Sequence, residues 1–235
     1  MCDFHSPLLL VLMDQSLKDA AQQGNIDTLY ALIQEDPNVL ERIEDIPFVE
    51  TPLHIAAFMG RTWFAMEIMK LKPSFARKLN QNGFTPLHLA LQKFSELENY
   101  PNLKRNQTQL VARLLDVDSD LVRVQGRECV TPFHYVAQMG YLDFLTTFSE
   151  GCPKSLEDVT IRRENVLHVA LKYDQVKAFQ LLLGWIQHAC FQDASSWESK
   201  LLRWKDEELN TLLHVAVSKK QSEASAFHSI FLELV

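Results

Sequence analysis

Histidine and cysteine are the residues of this chain that could act as metal ligands or as nucleophiles. The 235 residues include eight histidines and four cysteines. Five of the histidines recur at steps of 34, 46, 34 and 46 residues: His54, His88, His134, His168 and His214. Cys129 lies close to His134 in sequence, but no third residue is evident that would orient such a pair or stabilise an oxyanion. The sequence also lacks a glycine-rich phosphate loop, an H-E-x-x-H motif and an EF-hand loop. We therefore expect no enzyme, no metal site and no cofactor.

Each recurring histidine belongs to a motif that is typical of a helix start. The clearest copy is Thr51-Pro52-Leu53-His54-Ile55-Ala56-Ala57, and further copies begin at Thr85, Thr131, Asn165 and Thr211. A threonine hydroxyl can accept a free backbone N–H at the first turn, and proline suits the first helical position. The predicted helix has about three turns at most and is too short to be stable alone. It must pack against copies of itself.

A period in the thirties built on Thr-Pro-Leu-His-x-Ala resembles the ankyrin-repeat family. The resemblance implies an all-α fold, an ankyrin-repeat solenoid of stacked helix-turn-helix units with projecting β-hairpin loops. The two steps of 46 residues indicate insertions of 12 residues, one around residues 94–107 and one that includes an outer helix with Trp197, Leu201 and Trp204. An N-terminal extension is expected at 1–12, followed by repeats at 13–50 (a degenerate capping repeat), 51–84, 85–130, 131–164, 165–210 and 211–235.

The resemblance also implies a structural role for the motif histidines. In the family this side chain bonds the backbone near a hairpin and joins one repeat to the next. Successive repeats lie about 10 Å apart, the diameter of a helix, whereas one zinc ion needs all its ligands at about 2 Å. The motif residues assigned to this role are Thr51, His54, Thr85, His88, Thr131, His134, His168, Thr211 and His214.

Residues 72–80, 121–128 and 204–208 carry a narrower resemblance. They are similar to plant ankyrin proteins of innate immunity and cell-death control, whose longer members carry transmembrane helices after the repeats. This resemblance implies a role in defence signalling, with the repeats facing the cytosol. The chain departs from the family where its hairpins often have glycine, so we expect irregular hairpins at Val49, Cys129, Arg163 and Leu209.

Charge and composition indicate which partners and which cellular compartment to expect. A net charge of −7 argues against non-specific nucleic-acid binding, which needs clustered Lys and Arg. The cysteines form no C-x-x-C pair, so we expect reduced thiols in a cytoplasmic protein. No apolar run reaches the roughly 18 residues of a membrane helix, so we expect no direct membrane insertion. The last predicted repeat ends on the apolar stripe Phe227, Ile230, Phe231 and Leu234, as in a shortened form of a longer protein.

The residues expected to face a partner follow the small residues of each short helix and point into the concave face. They are Phe58, Met59, Gln92, Lys93, Gln138, Met139, Tyr141, Lys172 and Tyr173. Methionine and aromatic residues are enriched at interface centres, although some of these side chains could instead cover neighbouring loops. The first hypothesis is a non-catalytic scaffold or adaptor that binds another protein on this face. The alternative is the cytosolic sensor part of an immune regulator, held at the cytosolic face of the plasma membrane by a partner or in a longer form.

Overall fold

The computed structural model describes residues 14–188 and 200–218, which form helices joined by turns and loops, with no strand among them. Contacts divide the chain into a first unit (residues up to 93, with 97–110) and a second unit (residues 94–96, with 111 onward). The first unit contains α1 (Gln15–Gln23), α2 (Ile26–Glu35), α3 (Val39–Glu44), α4 (Pro52–Phe58) and α5 (Thr62–Leu71). Two helices contribute residues to both units, α6 (Pro86–Glu96) and α7 (Pro101–Val117). The second unit contains α8 (Pro132–Met139), α9 (Leu142–Gly151), α10 (Val166–Lys172), α11 (Val176–Gln187) and α12 (Leu212–Ser218).

The short helices begin where the motif predicts. Helices α4, α6, α8, α10 and α12 each start one residue after the first residue of a motif copy. Helices α4, α8 and α10 are each packed against the helix that follows, namely α5, α9 and α11. In the second unit α10 also contacts α8 and α12, and α11 contacts α9, so the first helices form one layer and the second helices another. The predicted all-α repeat fold is therefore confirmed.

Aliphatic and aromatic side chains fill the space between the two layers. In the first unit Leu53 of α4 and Phe64 and Ile68 of α5 are completely buried. In the second unit the rings of Phe133 and Phe148 pack edge to face, with centroids 6.0 Å apart. Burying a side chain of this size contributes about 1.5–3 kcal/mol. This packing stabilises helices of seven or eight residues that would not form in isolation.

The loops before the short helices share one pattern of backbone hydrogen bonds. In the loop at 80–84 the Asn80 N–H donates to the Phe84 carbonyl and the Gly83 N–H donates to the Asn80 carbonyl, both at 2.9 Å. The same two bonds recur in the loops at 126–130, 160–164 and 206–210. In three of the loops the side chain at the first position also accepts two backbone N–H groups: Asn80, Thr160 and Asp206. Each loop is thus a tight turn and not the two-stranded hairpin that the family resemblance implied.

The expectation of irregular loops is wrong at Arg163 and Leu209, whereas the loop of Cys129 differs from the others because Glu128 also has a positive φ, of 57°. Cys129, Arg163 and Leu209 have φ values of 57°, 58° and 65°, in the same left-handed region as Gly83 at 77°. They also donate the same N–H bond as Gly83. The tight turn therefore holds these residues at a left-handed φ, which is sterically unfavourable for any residue with a Cβ. In the first loop the positive φ falls on Phe48 and not on Val49, which is buried.

This strain predicts that Arg163→Gly stabilises the protein. A left-handed residue other than glycine costs about 1–2 kcal/mol, and the greater freedom of glycine in the unfolded chain offsets part of the gain. We expect the free energy of unfolding to rise by about 0.5–1 kcal/mol, measured by urea unfolding. The adjacent Arg162 has no positive φ, so Arg162→Gly should lower the same free energy. Equal effects of the two substitutions would contradict the prediction.

The first insertion lengthens two helices. An added Cβ at Gly24, Gly60 or Gly140 would meet the side chain of Arg61, Gln107 or Gln175, respectively, so these three side chains occupy equivalent positions. Arg61 and Gln175 lie ten residues after the first residue of their motifs, whereas Gln107 lies 22 residues after Thr85. The 12 extra residues therefore precede Gln107. They extend α6 and the beginning of α7, which starts at Pro101.

Several sequence-based predictions fall outside the described residues. They are the extension at 1–12, Trp197 of the second insertion and the stripe at Phe227, Ile230, Phe231 and Leu234. Near that insertion residues 200–202 are helical and Leu201 is buried, but Trp204 lies beyond the helical residues. The repeat boundaries remain predictions. Among the helices in the described parts of the chain, none combines the length and the apolar composition needed to cross a membrane.

Candidate functional site

The threonine and histidine of each motif cap the start of a short helix. In α4 the Thr51 hydroxyl accepts the His54 backbone N–H, and His54 Nδ1 lies 3.1 Å from the Thr51 backbone N and 2.8 Å from its Oγ1. Because a backbone N–H can only donate, Nδ1 is the acceptor and the ring proton sits on Nε2. The pairs Thr85–His88, Thr131–His134 and Thr211–His214 repeat this arrangement. The predicted capping role is thus present in four motif copies.

The Asn165 copy reverses the histidine tautomer. Asn165 Nδ2 donates to the Leu201 carbonyl at 3.2 Å, which orients its Oδ1 toward His168 Nδ1 at 2.7 Å. An amide oxygen only accepts, so His168 carries its proton on Nδ1. This looser motif copy therefore keeps the helix cap but presents an acceptor at Nε2 instead of a donor.

The second ring nitrogen joins neighbouring repeats at His54. His54 Nε2 lies 3.0 Å from the carbonyl oxygen of Phe84, in the loop that precedes α6. This contact agrees with the family role. The Nε2 atoms of His134 and His168 are equally buried but have no hydrogen-bond partner among the described residues. Both imidazoles still face the backbone of the following loop at the positions equivalent to Phe84, which are Glu164 for His134 and Asn210 for His168, so the link that the resemblance implied is weaker there than at His54.

Burial makes the protein sensitive to acid. Desolvation lowers the pKa of His54 and of His134 from 6.5 to about 4. The folded state keeps both imidazoles neutral, whereas the unfolded chain binds protons below about pH 6.5, so stability falls as the pH drops from 6.5 toward 4. We expect each histidine to lower the free energy of unfolding by about 1.4 kcal/mol per pH unit in this window. Urea unfolding at a series of pH values measures the slope. His134→Gln should reduce the slope by the contribution of one histidine, about 1.4 kcal/mol per pH unit. An unchanged slope would show that His134 does not stay neutral in the folded state over this pH range.

The described residues hold no group of three or more His, Cys, Asp or Glu side chains that could bind a metal. Burial raises the pKa of Cys152 to about 11, and its thiol donates to Asp120 at 3.3 Å, so it is a neutral thiol and not an activated nucleophile. Cys129 is partly exposed in a tight turn. Cys2 and Cys190 lie outside the described residues.

In the first unit the predicted partner-facing residues form a partly exposed surface at the ends of α4 and α6. Phe58 is half-buried, and Lys93 Nζ lies 4.9 Å from the centre of its ring. Met59 and Gln92 are exposed. A cation over an aromatic face gives an amphipathic surface that suits a mixed polar and apolar partner. We call these four residues the first-unit groove residues.

In the second unit three predicted residues line one hollow. Gln138, Lys172 and Tyr173 surround a hollow of about 110 Å³, together with loop residues that include Ile161 and Arg162. Lys172 and Arg162 also line a second hollow of about 270 Å³ beside α12. Lys172 forms an ion pair with Glu164. Tyr173 and Ile161 are large apolar side chains at the rim, 47% and 63% exposed. We call the two cavities the second-unit hollows.

Two predicted partner-facing residues do not belong to the hollows. Tyr141 packs against Phe94 and Phe144, with ring centroids 5.1 Å and 6.2 Å away, and its hydroxyl is buried. It therefore belongs to an aromatic cluster and is only partly exposed. Met139 is half-buried and lines neither second-unit hollow.

Sequence reasoning missed the loop residues of this surface. Ile161 and Arg162 lie at the turn between Thr160 and Arg163, and both line the smaller hollow. Their backbones are fixed by neighbouring loops, because the Ile161 N–H donates to the Glu128 carbonyl at 2.8 Å and the Glu207 N–H donates to the Arg162 carbonyl at 2.9 Å. The sequence signal for this surface was an isoleucine placed among the polar residues of a turn.

The chain carries ankyrin repeats in its first half. Residues 17–101 match the family model described as ankyrin repeats (3 copies), and the helix pairs and capped motifs described above continue beyond them. The fold is also similar to a solved structure titled Bd0816 predatory endopeptidase from Bdellovibrio bacteriovorus in complex with immunity protein Bd3460. The TM-score is 0.63 at 18% sequence identity, covering 93% of this chain and 99% of that one. At this identity the likeness shows the fold alone.

Among curated proteins the chain is similar to the ankyrin repeat-containing protein BDA1 of Arabidopsis thaliana. The two are 47% identical over 73 residues, which is 31% of this chain and 17% of the relative. The match thus spans under a fifth of that protein.

Proposed function

We propose that this protein is a non-catalytic scaffold that binds another protein through the first-unit groove residues and the second-unit hollows. Ankyrin repeats are protein-interaction modules, and repeat proteins bind along the surface formed by stacked repeats. The observation that carries the placement is the second-unit rim, where Tyr173 and Ile161 expose large apolar side chains beside the polar hollow lined by Gln138 and Lys172. Exposed aromatic and apolar side chains with polar groups beside them are characteristic of interface hot spots.

The double variant Tyr173→Ser with Ile161→Ser tests the placement. We expect it to lower partner affinity by about tenfold or more, since a central apolar anchor contributes about 2 kcal/mol. Affinity capture from plant extract with quantitative mass spectrometry, followed by titration of the captured partner, provides the measurement. The matched control is Val117→Ser on α7, which is similarly exposed at 59% and lines neither hollow.

A partner that the control retains and the double variant loses supports the proposal. If the control and the double variant bind a partner equally, the interface lies elsewhere on the protein. Met59→Ser, examined alone, tests the first-unit groove residues in the same assay. Circular dichroism and urea unfolding confirm that each variant is folded before its binding is compared.

We further propose that the binding serves plant defence signalling, as the cytosolic part of an immune regulator. The strings at 72–80, 121–128 and 204–208 support this role through their resemblance to the plant immunity subfamily, and the Arabidopsis relative supports a plant origin for the repeats. Fractionation of plant cells that express the chain tests it. Recovery with the plasma membrane, lost in the Tyr173/Ile161 variant, is the expected result. Recovery only as a free monomer would contradict it.

A further inference from the structure

An apolar hollow of about 170 Å³ lies between α7 and α9 in the second unit. Its lining includes the buried side chains of Val122, Phe148 and Cys152 and the half-buried Leu115. Gly151 stands at its edge, where an added Cβ would meet no atom within 4 Å. The hollow opens between second helices and shares no residue with the second-unit hollows. It is a separate surface from the proposed binding face.

Two polar groups of this hollow, the Cys152 thiol and the Thr147 hydroxyl, are already bonded within the protein. The Cys152 thiol donates to Asp120, and burial keeps it neutral by raising its pKa to about 11. The Thr147 hydroxyl donates to the Asp143 carbonyl, one turn back in α9, at 2.9 Å. A ligand entering the hollow therefore finds an apolar floor, which favours a hydrocarbon or aromatic group over a polar one. A cavity of about 150 Å³ holds a benzene ring, so this one is large enough for a single large apolar side chain.

The surroundings of the hollow are acidic. Asp116 lines it, and Asp120 bonds the thiol in its floor. On α9, Asp143 and Glu150 lie four residues before and three after Thr147, on the same side of the helix. The nearby cation Arg123 forms a two-bond ion pair with Asp158 at 2.9 Å and 2.7 Å and attracts Asp120 only at longer range, so the four carboxylates outweigh it. An incoming apolar side chain would therefore be favoured when its own neighbours are positively charged.

We propose that this hollow binds one large aliphatic or aromatic side chain from a partner protein segment that is rich in lysine and arginine. The apolar side chain fills the space beside Gly151, and the flanking cations face Asp116, Asp120, Asp143 and Glu150. Complementary charge steers such a segment and selects against acidic ones. The interaction weakens as salt screens the charges around the mouth.

Gly151 and Gly184, two helical glycines of the second unit where a side chain can be added without a clash, provide a matched test. Gly151→Leu places a side chain into the hollow without a backbone clash. The control is Gly184→Leu on α11, where an added Cβ also meets nothing within 4 Å. Gly184 does not line the hollow. Neither glycine has a positive φ. Both variants should fold, since leucine is a better helix former than glycine.

The probe is a short peptide with a central phenylalanine flanked by lysines, titrated into the whole chain and followed by backbone amide NMR and fluorescence anisotropy. We expect shifts confined to residues around 112–119 and 147–152 and affinity that falls with added salt. Gly151→Leu and Asp116→Lys should each weaken binding by about tenfold, while Gly184→Leu should not. Equal binding of a peptide with glutamate in place of the lysines or with serine in place of the phenylalanine would overturn the proposal. No binding at millimolar peptide would also overturn it.

Discussion

Gln107→Glu is expected to lower the free energy of unfolding by about 3–5 kcal/mol at neutral pH. The Gln107 side chain is buried, and its Nε2 donates to the carbonyl oxygens of Ala57 at 2.7 Å and Ala90 at 2.9 Å, joining α4 to α6 within the first unit. Glutamate has the same shape but no donor, so a buried carboxylate would face two carbonyl oxygens. Urea unfolding measures the loss, and lowering the pH should recover part of it by protonating the new carboxylate.

Gln109→Glu is the control for this effect. Gln109 lies on the same helix but is exposed, so the same substitution should change the free energy of unfolding by less than about 0.5 kcal/mol. Gln107→Leu separates charge from hydrogen bonding. It should cost about 2 kcal/mol, the sum of two net hydrogen bonds. Equal effects of Gln107→Glu and Gln109→Glu would contradict the bridging role.

His54→Ala is expected to lower the free energy of unfolding by about 3 kcal/mol. The imidazole is completely buried, its Nδ1 accepts the Thr51 backbone N–H, and its Nε2 donates to the Phe84 carbonyl. The substitution removes the histidine part of the helix cap, the link to the next loop and the packed ring together, while the Thr51 hydroxyl can still accept the backbone N–H of residue 54. Thermal and urea unfolding of the purified variant provide the measurement.

His214→Ala provides the comparison for the cap alone. His214 bonds Thr211 in the same way as the other motif histidines but is exposed. Its substitution should cost about 0.5–1 kcal/mol, as an exposed cap does. If His54→Ala were no more destabilising than His214→Ala, burial and the link to Phe84 would not contribute as proposed.

The repeat fold was predictable because its information is local. A threonine, a proline and a histidine at fixed spacing specify the cap of each short helix, and every such helix begins where the motif places it. The loop geometry was not predictable from residue type. Cys129, Arg163 and Leu209 adopt the glycine-like φ because two backbone hydrogen bonds close each turn, and those bonds do not depend on the side chain.

The candidate site was predictable only in part because it depends on packing between elements. Gln138, Lys172 and Tyr173 line one hollow as expected, but position in the motif could not show that Tyr141 turns toward Phe94. Ile161 belongs to the loop that completes the hollow, far in sequence from the helix ends. The hollow beside Gly151 forms where two second helices meet, and no sequence pattern marks such a place.

The tie between neighbouring loops has an evolutionary consequence. Main-chain hydrogen bonds connect three successive loops, since the carbonyls of Glu128 and Arg162 accept the N–H groups of Ile161 and Glu207 in the next loop. Side chains at these tips can therefore change without loss of the bonds that hold the loops in register. Duplicated copies of such a gene could acquire new partners by substitution at the tips while the scaffold stays the same. Selection on recognition and selection on folding would then act on largely separate sets of residues.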